Sequence, residues 1–370
     1  MNQRARSLWH TGQVAAFCAA ALLAIGLSQL GNEPALDVQL AALLLPVALL
    51  GIPHGALDYW LGQRVAQPRL GRYWPVVFLP LYLLIAGLVV LFWELTPVLS
   101  LAVFLLISWL HFGVDDTDYQ TQSPSLRWLE ILARGSVVIS FPAAFHEHDV
   151  TLLFGYLTSV EAAPRLAAGC AGLAPLAAVA LLACVFGHIR VALHQHYQAR
   201  WGIALELTIL ALLFALAPPL LAFGVYFCLL HSLRQLLLST DQQAGVQSLL
   251  GGLIRRTAPV TLATLCIAAL AYLMMDNIEL PEKLTQVIFI GLATLTVPHM
   301  LLAAVVARQR VKIKWMLLER IITMTGSIGG THVPPVSAVS SATGLERRIR
   351  LCVDATAYRL KILRIKPGNH

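Results

Sequence analysis

Four of the twelve histidines stand in runs that are otherwise apolar. They are His54 in Ile52-Pro53-His54-Gly55, His111 in Leu110-His111-Phe112-Gly113, His231 in Leu230-His231-Ser232 and His299 in Val297-Pro298-His299-Met300. An ionisable ring surrounded by hydrocarbon is costly unless something partners it, so such a residue is read first as functional. One alone serves equally well as a hydrogen bond between helices. Four together point to a shared site. Neutral imidazole is the commonest protein ligand for Fe, Zn and Cu, and four rings at one depth can close on a single ion.

Neighbouring residues have the spacing to support such ligands. Asp58 lies four residues after His54, and Asp115, which also begins an acidic loop, lies four after His111. On a helix that spacing puts carboxylate and ring on one face. A ligating histidine commonly gives its other N–H to a carboxylate, which fixes the tautomer and raises basicity. After His231 the same place is held by Gln235, next to Arg234, a cation in need of a partner. Pro53 and Pro298 free backbone carbonyls just before two of the rings, a mark of irregular helix near a site. Of the other histidines, His10, His146, His148, His194, His196, His332 and His370 fall in loops or termini, and His188 sits at a span border. His146-Glu147-His148 lacks the HExxH spacing that places two rings on one helix face.

The elements that hold these residues must be membrane helices. Of 370 residues, 58% are apolar and only 12% charged, and the mean hydropathy is +0.73. A water-soluble globule of this size cannot hide so much apolar surface. The fold class is therefore an all-α, polytopic transmembrane helical bundle. Ten apolar segments are long enough to cross: 13–30, 36–60, 74–93, 97–113, 128–145, 165–187, 203–217, 219–239, 257–275 and 285–307. The fifth carries Arg134, and Pro218-Pro219 barely divides the seventh from the eighth, so eight to ten spans are expected. With the N-terminus inside, Arg64, Arg69, Arg72, Arg127, Arg190, Arg200, Arg255 and Arg256 fall in cytoplasmic loops. Glu33, Asp37, Glu94, Glu147, Asp149, Asp276, Glu279 and Glu282 fall outside. This satisfies the positive-inside rule and predicts an inner-membrane protein with both termini cytoplasmic.

The net charge of +7 resides in the tail: from Val311 onward there are ten Lys/Arg and three Asp/Glu. Two regions are expected, a catalytic helical domain over 1–310 and a basic, flexible tail over 311–370. Basic residues at membrane borders account for a pI near 9.3, and no cluster on a soluble fold points to nucleic acid. The six cysteines form no CxxC.

The ordered set Pro53-His54-Gly55 with Asp58, His111-Phe112-Gly113 with Asp115, Tyr226-Phe227-Cys228 leading to His231-Ser232, and Pro298-His299-Met300 resembles the Brp/Blh family. These are integral-membrane β-carotene 15,15'-dioxygenases associated with retinal supply for microbial rhodopsins. The resemblance covers about residues 36–308. It implies a non-haem Fe(II) centre, held by His54, His111 and His231 with His299 as the fourth ligand. That centre uses O2 to cleave the central double bond of β-carotene into two retinals, with a functional link to a rhodopsin. Asp58, Asp115 and Gln235 are then supports around the ligands. The resemblance leads one to expect histidine at position 235, where Gln235 serves as a weak oxygen ligand or a hydrogen-bond donor. Trp109, Phe112, Tyr226 and Phe227 are candidates to line a polyene channel, beside the ordinary role of aromatics in packing. A di-iron hydroxylase is excluded because HxxxH and HxxHH boxes are absent. The non-enzyme alternative is a carotenoid-binding or transport protein using the His/Asp set as a relay.

Overall fold

The computed structural model describes residues 3–31, 34–117, 123–195, 199–239 and 246–326, and every element among them is helical. In order these are α1 (Gln3–Ser28), α2 (Leu36–Pro46), a π-wound turn (Val47–Gly51), α3 (Ile52–Ala56), α4 (Asp58–Leu70), α5 (Trp74–Leu95), α6 (Pro97–Asp115) and α7 (Pro124–Phe145). There follow α8 (Glu147–Leu157), α9 (Ala163–Ala171), α10 (Ala174–Gln195), α11 (Ala199–Leu216) and α12 (Pro219–Val225). A second π-wound segment (Tyr226–Ser232), α13 (Leu233–Ser239), α14 (Val246–Met274) and α15 (Leu280–Gly326) complete the chain. Each predicted span falls on helix. Among the described residues eight stretches are long and apolar enough to cross a membrane, and one of them, Leu36–Leu95, is 60 residues long. At about 1.5 Å per residue that stretch covers the hydrocarbon core more than twice. The chain turns within it at Gly71, whose φ of 55° suits only glycine without strain.

Proline and small polar residues punctuate the bundle. Pro97, Pro124 and Pro219 sit at helix starts, where the missing N–H costs nothing, and the Ser123 hydroxyl caps α7 by accepting from the Leu126 amide. The structure adds a hairpin of two short helices, α8 and α9, in a region the sequence reading treated partly as loop. The chain divides into two units, Met1–Val306 and Ala307–His370. Within the second unit α15 continues to Gly326, so the segment read as a tail from 311 begins as helix; residues 327–370 lie outside the described set.

Outward faces confirm lipid as the solvent. Leu83 and Leu84 on α5 are each 59% exposed, and Leu22, Leu23, Leu182 and Leu270 stand out likewise. A continuous exposed leucine surface on most helices is stable only against acyl chains. Inside, helices approach closely through glycine. A β-carbon at Gly113 would collide with the Ile131 carbonyl oxygen, and one at Gly135 with the Trp109 carbonyl oxygen, which locks α6 against α7. Likewise Gly51 leaves room for the Phe227 ring, bringing the two π-wound segments together. Single π turns inside helices recur at functional sites, and here one precedes His54 and the other contains His231.

A chain of buried charges ties the centre of the bundle. Glu130 on α7 meets Arg134 (2.9 Å) on the same helix and His188 Nε2 (3.1 Å) on α10. Arg134 reaches Glu206 on α11, and Glu206 reaches Arg234 on α13, both at 2.6 Å. Two carboxylates face two guanidinium groups, so the set is neutral, and none of its side chains exceeds 8% exposure. Arg134, which weakened the fifth span as read from sequence, is thus fully accommodated. Gln13 on α1 gives its amide hydrogens to the carbonyls of Leu229 (2.7 Å) and Leu230 (3.1 Å), acceptors inside the second π-wound segment. Arg200, near the start of α11, is buried.

Candidate metal centre

The four intramembrane histidines come together. Ring centroids of His54 and His231 lie 5.3 Å apart, those of His231 and His111 4.8 Å, those of His111 and His299 5.3 Å, and those of His299 and His54 5.1 Å. The rings therefore form a closed circuit, one each from α3, α6, the second π-wound segment and α15. Ligand atoms of His54, His111 and His231 lie within 4.8 Å of one another, and so do those of His111, Asp115 and His299. Two donors facing each other across an ion, at about 2.1 Å each, are about 4.2 Å apart, so a small inward movement closes the set.

Hydrogen bonding decides what the nitrogens have to offer. His231 Nδ1 lies 3.1 Å from Asp116 Oδ1 and His299 Nδ1 lies 2.7 Å from Asp58 Oδ1. His111 Nδ1 faces Asp115 Oδ2 at 3.4 Å, longer than a good hydrogen bond. A carboxylate at Nδ1 holds the proton there and turns the lone pair of Nε2 inward. His231 Nε2 is buried with no hydrogen-bond partner, and both ring nitrogens of His54 are in the same condition. Burying three such atoms costs several kcal/mol by ordinary transfer energies (about 1–3 kcal/mol each). A cation supplies what they lack. The donor set therefore fits a metal ion, with His54, His111, His231 and His299 as the side chains to hold it.

The aspartates do not follow the local pattern read from sequence. Asp58 was paired with His54 by spacing, but α3 ends at Ala56 and α4 starts at Asp58, so the i, i+4 face is broken at Leu57. Asp58 turns instead to His299, and Tyr82 on α5 donates to its other oxygen at 2.9 Å. Asp115 stays beside His111, as the spacing expected. Asp116, which sequence reasoning did not single out, serves His231 and also accepts from the Tyr226 hydroxyl at 2.7 Å. The signal was present in the doublet Asp115-Asp116. Successive residues on a helix point about 100° apart, so two adjacent carboxylates can serve rings on two different helices.

Gln235 is not directed at the cluster. Its Nε2 donates to the Asp115 carbonyl at 2.9 Å, and Arg234 donates to the Asp116 carbonyl at 3.1 Å. The π winding through Ser232 is wider than 3.6 residues per turn, which takes position 235 off the face of the His231 ring. The two side chains meet carbonyls at the end of α6, where a helix leaves its last acceptors unpaired. Of the aromatic candidates, Phe112 and Phe227 line an apolar cavity of about 140 Å³ that reaches His111. Trp109 and Tyr226 are not among its walls. Trp109 instead donates to Ser136 on α7 (2.9 Å), and Tyr226 supports Asp116.

Removing the Tyr226 hydroxyl is expected to loosen the ion without emptying the site. Tyr226→Phe takes one donor from Asp116 while leaving ring volume intact, so metal affinity should fall roughly 10–100-fold. Chelator competition on the purified protein reads this directly. An unchanged affinity would show that Asp116 does not act through His231 on the ion.

A family model described as Beta-carotene 15,15'-dioxygenase matches residues 45–307, a segment that holds all four histidines. A protein of uncultured marine bacterium 66A03, named Beta-carotene 15,15'-dioxygenase, is 32% identical over 280 residues, covering 72% of this chain and 95% of the relative. A protein of Halobacterium salinarum, named Probable beta-carotene 15,15'-dioxygenase Blh, is 29% identical over 292 residues, covering 70% of this chain and 81% of the relative. No solved structure matches.

Proposed function

The chain belongs to the beta-carotene 15,15'-dioxygenase family, and from that premise we propose that it cleaves β-carotene, or a close polyene relative, with O2 at the central double bond. One C=C bond breaks and two C=O bonds form, so one forty-carbon polyene and one O2 balance two molecules of retinal. The observation that carries this reading is the four-imidazole cluster opening on an apolar cavity within lipid-exposed helices. A substrate soluble only in the bilayer enters such a site without crossing water.

His54, His111, His231 and His299 are the residues to hold the ion, which we take to be Fe(II), a metal suited to imidazole ligands. When bound, Fe(II) supplies the one-electron chemistry that lets O2 react with a closed-shell polyene. Asp58 and Asp116 orient the His299 and His231 imidazoles and keep their outer N–H protons in place, while the Asp115 carboxylate lies 3.4 Å from His111 Nδ1. Phe112 and Phe227 press apolar faces on the space beside the rings, and the lining around them excludes water that would intercept activated oxygen. Residues 1–310 form the catalytic body in this account, in an inner membrane with both ends cytoplasmic. Retinal released into the same bilayer links the enzyme functionally to a rhodopsin.

A relay or transport role has less support. Asp58 and Asp116 are each committed to an imidazole and a tyrosine, and the cavity is walled almost wholly by hydrocarbon rather than by a polar path. Expression in carotene-producing bacteria tests the proposal: orange colour should fade and retinal appear. Persistent colour with folded, iron-loaded protein would defeat the catalytic reading and leave the metal site standing.

A further inference from the structure

The apolar cavity reaches the histidine cluster at His111 and extends away from it beside α6. Its wall on α6 runs along one helix face from His111 to Leu101. Those ten residues, at about 1.5 Å each, give a reach of about 15 Å. At the far end Leu101 packs in a buried cluster with Trp93, Leu157 and Ala293, and the Trp93 indole N–H donates to the Leu157 carbonyl at 2.9 Å. Trp93 and Ala293 also line a second apolar pocket bordered by the outward-facing Leu88, Phe92 and Val103, so the cluster is a partition between the inner cavity and the lipid-facing side.

We propose that this partition is a ruler: it stops one end of the polyene so that the central double bond lies at the imidazole cluster. The proposal rests on the carotene-cleaving reading above. A forty-carbon carotene, a conjugated polyene between two end rings, is about as long as the hydrocarbon core, about 30 Å, so its half-length is about 15 Å. Slot and half-molecule agree. Hydrogen-bonding side chains on the slot wall are confined to Ser108, His111 and Thr296, all within three residues of a site histidine. Nothing along the deeper wall can read one double bond from the next by polar contact. With identical chemistry repeated along the substrate, position is set by where the chain stops.

Two measurements test the ruler, both scored by the carbon length of the aldehydes formed. In the first, the unaltered protein in membranes is given β-carotene and a series of apocarotenals shortened at one end. A fixed depth requires one fragment of constant length, that of retinal, whatever the total length. In the second, Leu101→Trp shortens the slot, and retinal should give way to an unequal pair of aldehydes as the main product. A cut that tracks the midpoint of the shortened polyenes would overturn the ruler while leaving cleavage itself established. So would retinal as the sole product of a folded, active Leu101→Trp protein. Should that variant fail to fold, the shortened polyenes still decide. Failure of the unaltered protein to cleave β-carotene at all would overturn the parent reading and the ruler with it.

Discussion

Under the proposed iron-dependent function, His111→Ala protein is expected to lose bound iron and carotene cleavage together. His111 is the member common to both groups of ligand atoms in the centre, and its ring neighbours those of His231 and His299. Taking it away opens the circuit on two sides at once. Loss of an outer support alone costs about 10–100-fold in affinity, so removal of a ligand should cost roughly a hundredfold or more. Iron content of the purified protein should drop from near-stoichiometric to trace, with retinal formation following it. If iron stays while cleavage goes, His111 contacts the substrate and the ion is held by the remaining donors.

Glu206→Ala is expected to be the most damaging single change outside the centre. Among the described residues, Glu206 is the side chain that bonds both Arg134 and Arg234, and it receives a 2.6 Å contact from each. Its loss takes the shared carboxylate from two buried guanidinium groups, leaving Arg134 its Glu130 partner and Arg234 only carbonyl and amide acceptors within hydrogen-bond reach. Breaking a buried ion pair by deleting one partner costs about 3–5 kcal/mol. The effect should also reach the centre, because Arg234 holds the Asp116 carbonyl. A lower melting temperature in detergent together with weaker iron retention is the expected pair of results. A variant as stable as the parent would mean that the charges are solvated by water or lipid headgroups rather than by each other. Glu206→Gln, which keeps one acceptor, should fall between the two.

The four intramembrane histidines stood out in the sequence because an imidazole in hydrocarbon has so few explanations, and the structure brings their rings together. The same reasoning located the spans, since twenty apolar residues in succession leave little choice. Contacts between distant segments were harder. Asp58 looked like the partner of His54 because an unbroken helix was assumed, and the break at Leu57 redirected it to His299. Tyr82 supports that aspartate from 24 residues away, with no periodicity to announce it. Gln235 was read on an α-helical turn that is in fact π-wound just before it. Glu130, Arg134 and Glu206 were visible as charges in apolar runs, yet only three-dimensional packing shows that they neutralise one another. Backbone irregularity and long-range pairing are thus what local pattern cannot supply.

The buried chain of charges also bears on how the protein enters the bilayer during synthesis. Glu130 and Arg134 stand one turn apart on α7 and can offset each other before any neighbour is present. Glu206 on α11 and Arg234 on α13 have no opposite charge within their own helices at that spacing, so each would enter hydrocarbon alone at a cost of a few kcal/mol. Translation delivers α7 first, so a counter-ion is already waiting when α11 emerges, and α11 in turn waits for α13. The order of the genes' codons is then part of the folding pathway: a circular permutant that presented α11 or α13 ahead of α7 would ask the translocon to release a charged helix into lipid without its partner.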